Sequence, residues 1–204
     1  KINLRPFQQL TVMTTTTLNL NPVIQLSKEQ FYTLCATNPD TKLELNANGE
    51  LIVMSPTGGE TSAWNAELII DLGVWNRQTG LGKTFDSSGG FSLPNGAQRS
   101  PDAAWIPLEK WNALTTEEKK GFLPLCPDFI IELLSPSDSW KPGTEKMEEY
   151  METGCRLGWL IEPRNKRVAI YRAKQAVEIL EAPKFLSGED ILKGFNLDLA
   201  KIWR

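Results

Sequence analysis

Apolar residues along the chain recur at two spacings, and the switches between them mark out the elements. Ser27-Lys28-Glu29-Gln30 reads as a capping box, in which the serine hydroxyl and the glutamine side chain each satisfy a free backbone N–H. It predicts a short helix to about Thr37, closed by Asn38-Pro39-Asp40. Lys42–Asn46 and Glu50–Met54 read as short strands joined through the hairpin signal Asn48-Gly49. After Gly58-Gly59 the period changes. Trp64, Leu68, Leu72 and Trp75 repeat at helical spacing and predict a long helix over about Thr61–Gln78, ended by Gly80 or Gly82.

Strand-like pieces follow at Lys83–Ser87, Phe91–Leu93 and Ala97–Ile106, with Pro94-Asn95-Gly96 as a turn. Lys110–Lys120 reads as a surface helix. Asp128–Leu134 is short, apolar and bounded by prolines, which favours a central strand buried on both faces. Glu145–Thr153 reads as a charged amphipathic helix ending at Gly154, and Leu157–Ile161 with Arg167–Arg172 as a hairpin through Pro163-Arg164-Asn165. A strand near Val177–Leu180 and a short helical end around Leu197–Trp203 close the chain. This order predicts an α/β (α+β) fold, one mixed sheet with helices on its faces.

Composition narrows the chemistry. The 204 residues carry no histidine, which excludes Ser-His and Cys-His nucleophiles, an imidazole base and His-ligated zinc. The net charge of −3 offers no global positive field, so a nucleic-acid partner would need a local patch. Cys35, Cys126 and Cys155 are odd in number and widely spaced, which reads as free thiols in a reducing cytoplasm. The longest apolar run, as in Leu51–Met54, is four residues, too short for a membrane span. The first residues lack the apolar core and cleavage site of a signal peptide. Met13 is a candidate natural start, with residues 1–12 from an upstream or vector-derived reading frame.

The acids carry the rest. Glu132 lies inside Phe129-Ile130-Ile131-Glu132-Leu133-Leu134, where an unpaired ionised carboxylate would cost several kcal/mol. It is either a member of a buried pair with Arg or Lys, or a functional carboxylate. Asp102 stands at the polar entrance of another apolar strand, although Pro-Asp is also a turn signature, as at Pro39-Asp40 and Pro127-Asp128. Two acids on neighbouring strands could jointly hold a hard cation such as Mg²⁺. Glu67 interrupts the long helix among apolar residues, and Lys146, with Tyr150 one turn on, begins the charged helix. Arg164, Lys166, Arg167, Arg172 and Lys174 fall within eleven residues that contain no acid. That stretch fits either a grip on a phosphate backbone or an edge hairpin charged against aggregation.

SPTGGETSAWNAEL, FDSSGGFSLPNGAQRSPDAAWI, CPDFIIELLSPSDS, EKMEEYMETGCRLGWLIEP and VAIYR together resemble the Uma-type restriction endonuclease family. That family, long labelled a domain of unknown function, belongs to the PD-(D/E)XK nuclease superfamily. The resemblance runs from about Ser27 to the end. It implies a restriction-endonuclease-like core over residues 27–204, preceded by a partly flexible extension over residues 1–26. It also implies a Mg²⁺- or Mn²⁺-dependent endonuclease acting on DNA. Asp102 resembles the Asp of the Pro-Asp motif, Glu132 the following acid and Glu67 an extra acid on the preceding helix. The metal would be held by Asp102, Glu132 and a backbone carbonyl near Leu133, with Glu67 completing the site. Arg164, Lys166 and Arg167 would contact nucleic acid. The superfamily pattern places Lys two residues after the second acid, and here that position is Leu134. The resemblance points to a lysine supplied by the next helix, Lys146, with Lys141 as runner-up. The alternative is a nuclease fold that has lost turnover and acts in nucleic-acid binding or protein association. A homodimer would let two sites cut both strands of a duplex, by analogy.

Overall fold

Six strands, β4 (Gly82–Asp86), β7 (Ala103–Pro107), β8 (Phe129–Leu133), β9 (Leu157–Glu162), β10 (Arg167–Arg172) and β11 (Glu178–Glu181), form the central sheet of the computed structural model, which describes residues 15–203. The reading of residues 1–12 and Met13 lies outside the described residues. Spatial order is β11-β10-β9-β8-β7-β4; only β8 and β9 run parallel, joined by helix α4 (Trp140–Glu152). Every residue of β8 is buried, which the proline-bounded apolar run predicts.

Helix α2 (Gly59–Thr79) covers one face through Leu68, Leu72 and Trp75, together with the C-terminal segment around Leu192, Phe195 and Ile202. Gly80, in the left-handed conformation at φ +67, ends α2 by returning its N–H to Asn76. Helix α4 covers the other face through Met147 and Tyr150, which pack with Ile130, Leu134 and Leu160. A Cβ at position 158 would lie 2.3 Å from Met147 Cε, so Gly158 lets α4 seat closely on β9. The two faces are thus read off β8 directly: Ile131 and Leu133 point towards α2, Ile130 and Leu134 towards α4.

The expectation of a single sheet is corrected, since the strands divide over three. β1 (Thr16–Leu18), β3 (Leu51–Met54), β2 (Lys42–Leu45), β6 (Gln98–Arg99) and β5 (Phe91–Ser92) make a smaller antiparallel sheet. Helix α1 (Lys28–Thr37) packs on it through Phe31, with the Ser27–Gln30 capping box formed. β12 (Phe185–Ser187) and β13 (Asn196–Asp198) form a two-stranded ribbon, and the helical end predicted around Leu197–Trp203 is a 3-10 turn over Leu199–Lys201 that follows β13. The predicted strand over Ala97–Ile106 is two strands in different sheets, β6 and β7. The break falls at Ser100-Pro101-Asp102, where proline has no N–H to donate to a ladder. Lys110–Lys120 is likewise split, into a helix α3 (Leu108–Ala113) and a 3-10 turn at Glu118–Lys120.

Candidate active site

The break between β6 and β7 creates the first part of the site. Pairing of β7 with β8 ends at Ala103 and Ile131, because Pro101 turns the chain towards the smaller sheet. The N–H of Leu133 therefore has no strand partner on that side, and Asp102 Oδ2 accepts it at 2.8 Å. N–H and C=O of one strand residue face the same edge, so the Leu133 carbonyl also opens on the Asp102 side. Burial pushes the Asp102 carboxyl above its ordinary range, against the opposing hydrogen bond from Leu133.

Glu132, one residue earlier, projects towards α4. Lys146 Nζ lies 2.8 Å from Glu132 Oε1, and the Tyr150 hydroxyl donates to the same oxygen at 3.0 Å. Lys146 and Tyr150 are four residues apart, hence on one helix face. Burial, with Asp102 and Glu44 nearby, pushes Glu132 up to about 7 despite the Lys146 ammonium. The same two carboxylates, Glu132 and Glu44, hold the Lys146 ammonium well above its ordinary value, outweighing its burial.

Glu44 is the member that sequence reasoning missed. It sits in β2 between the buried Leu43 and Leu45, with only 2% of its surface exposed. Its Oε1 lies 3.0 Å from Lys146 Nζ and accepts the Ser100 N–H at 2.9 Å; its Oε2 lies 3.1 Å from the Arg99 guanidinium. Burial would raise its pKa, but Lys146 and Arg99 outweigh it and hold the carboxyl at about 2. Arg99 in turn pairs with Glu149 of α4, whose other oxygen accepts the Ala47 N–H at 3.2 Å. The smaller sheet thus reaches across and fixes the charged face of α4 from the far side.

Residues 28–200 match the family Uma2, described as "Putative restriction endonuclease". The chain belongs to the Uma2 family. Its fold is similar to that of "a putative nuclease belonging to DUF820 from Anabaena variabilis ATCC 29413", with a TM-score of 0.72 at 21% identity. That match covers 87% of this chain and 97% of the other. No curated protein matches the sequence. Family and fold together make this a nuclease-like chain of the restriction endonuclease type, and among the described residues no helix is long and apolar enough to cross a membrane.

The structure brings together Asp102, Glu132, Lys146 and the Leu133 backbone, and leaves other predicted residues of this Uma2 chain outside. Glu67 faces away: its carboxylate lies 3.0 Å from Lys201 Nζ, which Asp71 shares at 3.2 Å. The helix turns by about 100° per residue, so the polar residue of α2 that reaches Asp102 is Asn65, two positions earlier. Lys141, with 85% of its side chain exposed, pairs among the described residues with Glu145 alone, at 3.7 Å. Two cations of the expected basic stretch are neutralised by acids outside its window. Arg167 is held by Glu162 at 2.8 Å and lies 3.6 Å over the Trp140 ring; Arg172 is held by Glu178 and Glu189. Arg164 and Lys166 remain exposed without an ion pair among the described residues. They line a cleft of about 580 Å³ that also carries the acids Glu60, Asp138 and Glu162, beside Trp64 of α2 and Leu134 and Ser135, which follow Glu132.

The donor set that remains is all oxygen. Asp102 Oδ1 has one long contact, 3.4 Å from Asn65 Nδ2, while both contacts to Glu132 fall on Oε1 and leave Oε2. Asn65 Oδ1 is buried with no hydrogen-bond partner among the described residues. No three His, Cys, Asp or Glu side chains converge there among the described residues. Two carboxylates with carbonyl and amide oxygens match the needs of Mg²⁺ or Mn²⁺, which usually keep several waters.

Proposed function

We propose that this chain is a Mg²⁺- or Mn²⁺-dependent endonuclease that hydrolyses phosphodiester bonds in DNA. The observation that carries the reading is Lys146 Nζ at 2.8 Å from Glu132 Oε1, since it supplies from α4 the cation that the superfamily pattern expects where Leu134 stands. Asp102, Glu132 and the Leu133 carbonyl are the residues that would hold the ion. When bound, it would lower the pKa of a water and neutralise charge on the phosphate. Lys146 has three N–H donors, of which Glu132 and Glu44 take two. The third is left for the attacking water or a non-bridging phosphate oxygen, where it offsets charge that grows in the transition state. Glu44 keeps the ammonium aimed, and Tyr150 keeps Glu132 from rotating. The cleft lined by Arg164 and Lys166 would hold the flanking backbone, both cations lying at the C-terminal end of the parallel pair β8 and β9.

One observation favours a second reading. Arg99, Glu44, Lys146 and Glu132 already satisfy one another, as a buried structural network in a binding module would. An assay on supercoiled, linear and single-stranded DNA with Mg²⁺, Mn²⁺ or EDTA separates the two. Metal-dependent cleavage supports the nuclease; binding that is indifferent to EDTA, with no cleavage, supports the module.

A further inference from the structure

We infer that the helix-borne ligand of this site is the carboxamide of Asn65 and not the carboxylate of Glu67. The inference rests on the proposed metal reading and deepens it. Asp102 has one oxygen tied to the Leu133 N–H, so Oδ1 is the oxygen that faces the site, and Asn65 is the side chain of α2 beside it. At 3.4 Å the contact between Asn65 Nδ2 and Asp102 Oδ1 is at the limit of a hydrogen bond, while Asn65 Oδ1 is closed off from solvent and has no partner among the described residues. A buried amide oxygen in that state has lost its hydrogen bond to water and gained none in return. Rotating the carboxamide by half a turn exchanges its oxygen and nitrogen and puts Oδ1 against Asp102 Oδ1. Two oxygens repel each other there unless a cation lies between them. A divalent ion there takes both oxygens at once, and Nδ2 passes to the buried position that Oδ1 held. The charge also balances: Asp102 and Glu132 supply two negative charges and Asn65 a neutral donor. Glu67 is already committed to Lys201 on another side of the helix.

The test is titration of Mn²⁺ followed by the loss of its free-ion EPR signal, on the full chain, with circular dichroism and thermal unfolding in parallel. Asn65→Ala weakens Mn²⁺ binding about tenfold, within the range for losing a supporting metal contact. Asn65→Asp, of nearly the same shape, restores or tightens it. Glu67→Ala leaves it within about twofold, on the same fold-change scale. Unchanged Mn²⁺ binding in Asn65→Ala, whether or not its melting temperature falls, overturns the inference, as does a loss in Glu67→Ala equal to that in Asn65→Ala. Wild-type protein that takes up no Mn²⁺ overturns the metal reading itself, and this inference with it, a result distinct from either.

Discussion

Two charged regions of this protein are laid out differently in sequence and behave oppositely in the fold. The hairpin β9–β10 carries a run of basic residues, yet Arg167 and Arg172 are answered by acids close in the chain or at the neighbouring edge: Glu162, Glu178 and Glu189. The cluster around Glu132 carries its charges singly, on four elements, with partners up to 102 residues apart. The hairpin charges are half-exposed and screened, whereas those of the cluster are buried, where each ion needs its partner. Charge density along this sequence therefore marks surface, and an isolated charge inside an apolar strand marks a buried charge network.

The contrast can be broken in order of expected size. Glu132→Gln and Asp102→Asn each remove one metal-holding carboxylate while keeping the shape of the side chain. Several kcal/mol of transition-state stabilisation are at stake, so single-turnover DNA cleavage falls by about 10³-fold or more. Circular dichroism of Glu132→Gln stays native; an unfolded variant would make Glu132 a structural ion-pair member. Lys146→Ala lowers cleavage by about 10²–10³-fold. It also leaves Glu132 buried without its cation and Glu44 with Arg99 alone, which costs about 3–5 kcal/mol in urea unfolding. Arg167→Ala, in the hairpin, costs about 0–1 kcal/mol by the same measurement. Equal losses in the two variants would erase the distinction drawn between the regions.

A pH series sharpens it further. Glu44 is held at about 2 in the fold, against an ordinary 4.5. A depressed carboxyl contributes stability in full above its unfolded pKa and loses it as pH falls through the folded one. Wild-type stability thus drops more steeply between about pH 4.5 and 2 than that of Glu44→Gln, and parallel curves would remove Glu44 from the network. The smallest effect concerns the cleft. Alanine at both Arg164 and Lys166 weakens DNA binding uniformly and reduces the salt slope by about 2, while Arg167→Ala leaves the slope unchanged.

What the sequence made legible was local. The Ser27–Gln30 box, the Asn48-Gly49 hairpin, the Gly80 stop and the β8 run each depend on neighbours within a few residues. Glu132 announced itself because no solvated face exists in FIIELL. The buried-pair reading is what the fold shows, and the partner is Lys146, the residue that the family resemblance nominates. Glu44 gave no such signal. KLEL alternates like a half-exposed strand, and only the arrival of Arg99 and α4 covers its polar face. Glu67 drew attention as the acid of α2, but helix phase sends it to Lys201 and turns the neutral Asn65 inward. Pro101, read as part of one strand, is the residue that parts the two sheets and frees the Leu133 N–H for Asp102.

The most direct measurement is anomalous diffraction from crystals soaked in Mn²⁺. The account predicts a single peak bonded to both Asp102 and Glu132, with Lys146 still anchored on Glu44. No peak there, with Lys146 Nζ remaining the sole cation between Glu132 and Glu44, would contradict it.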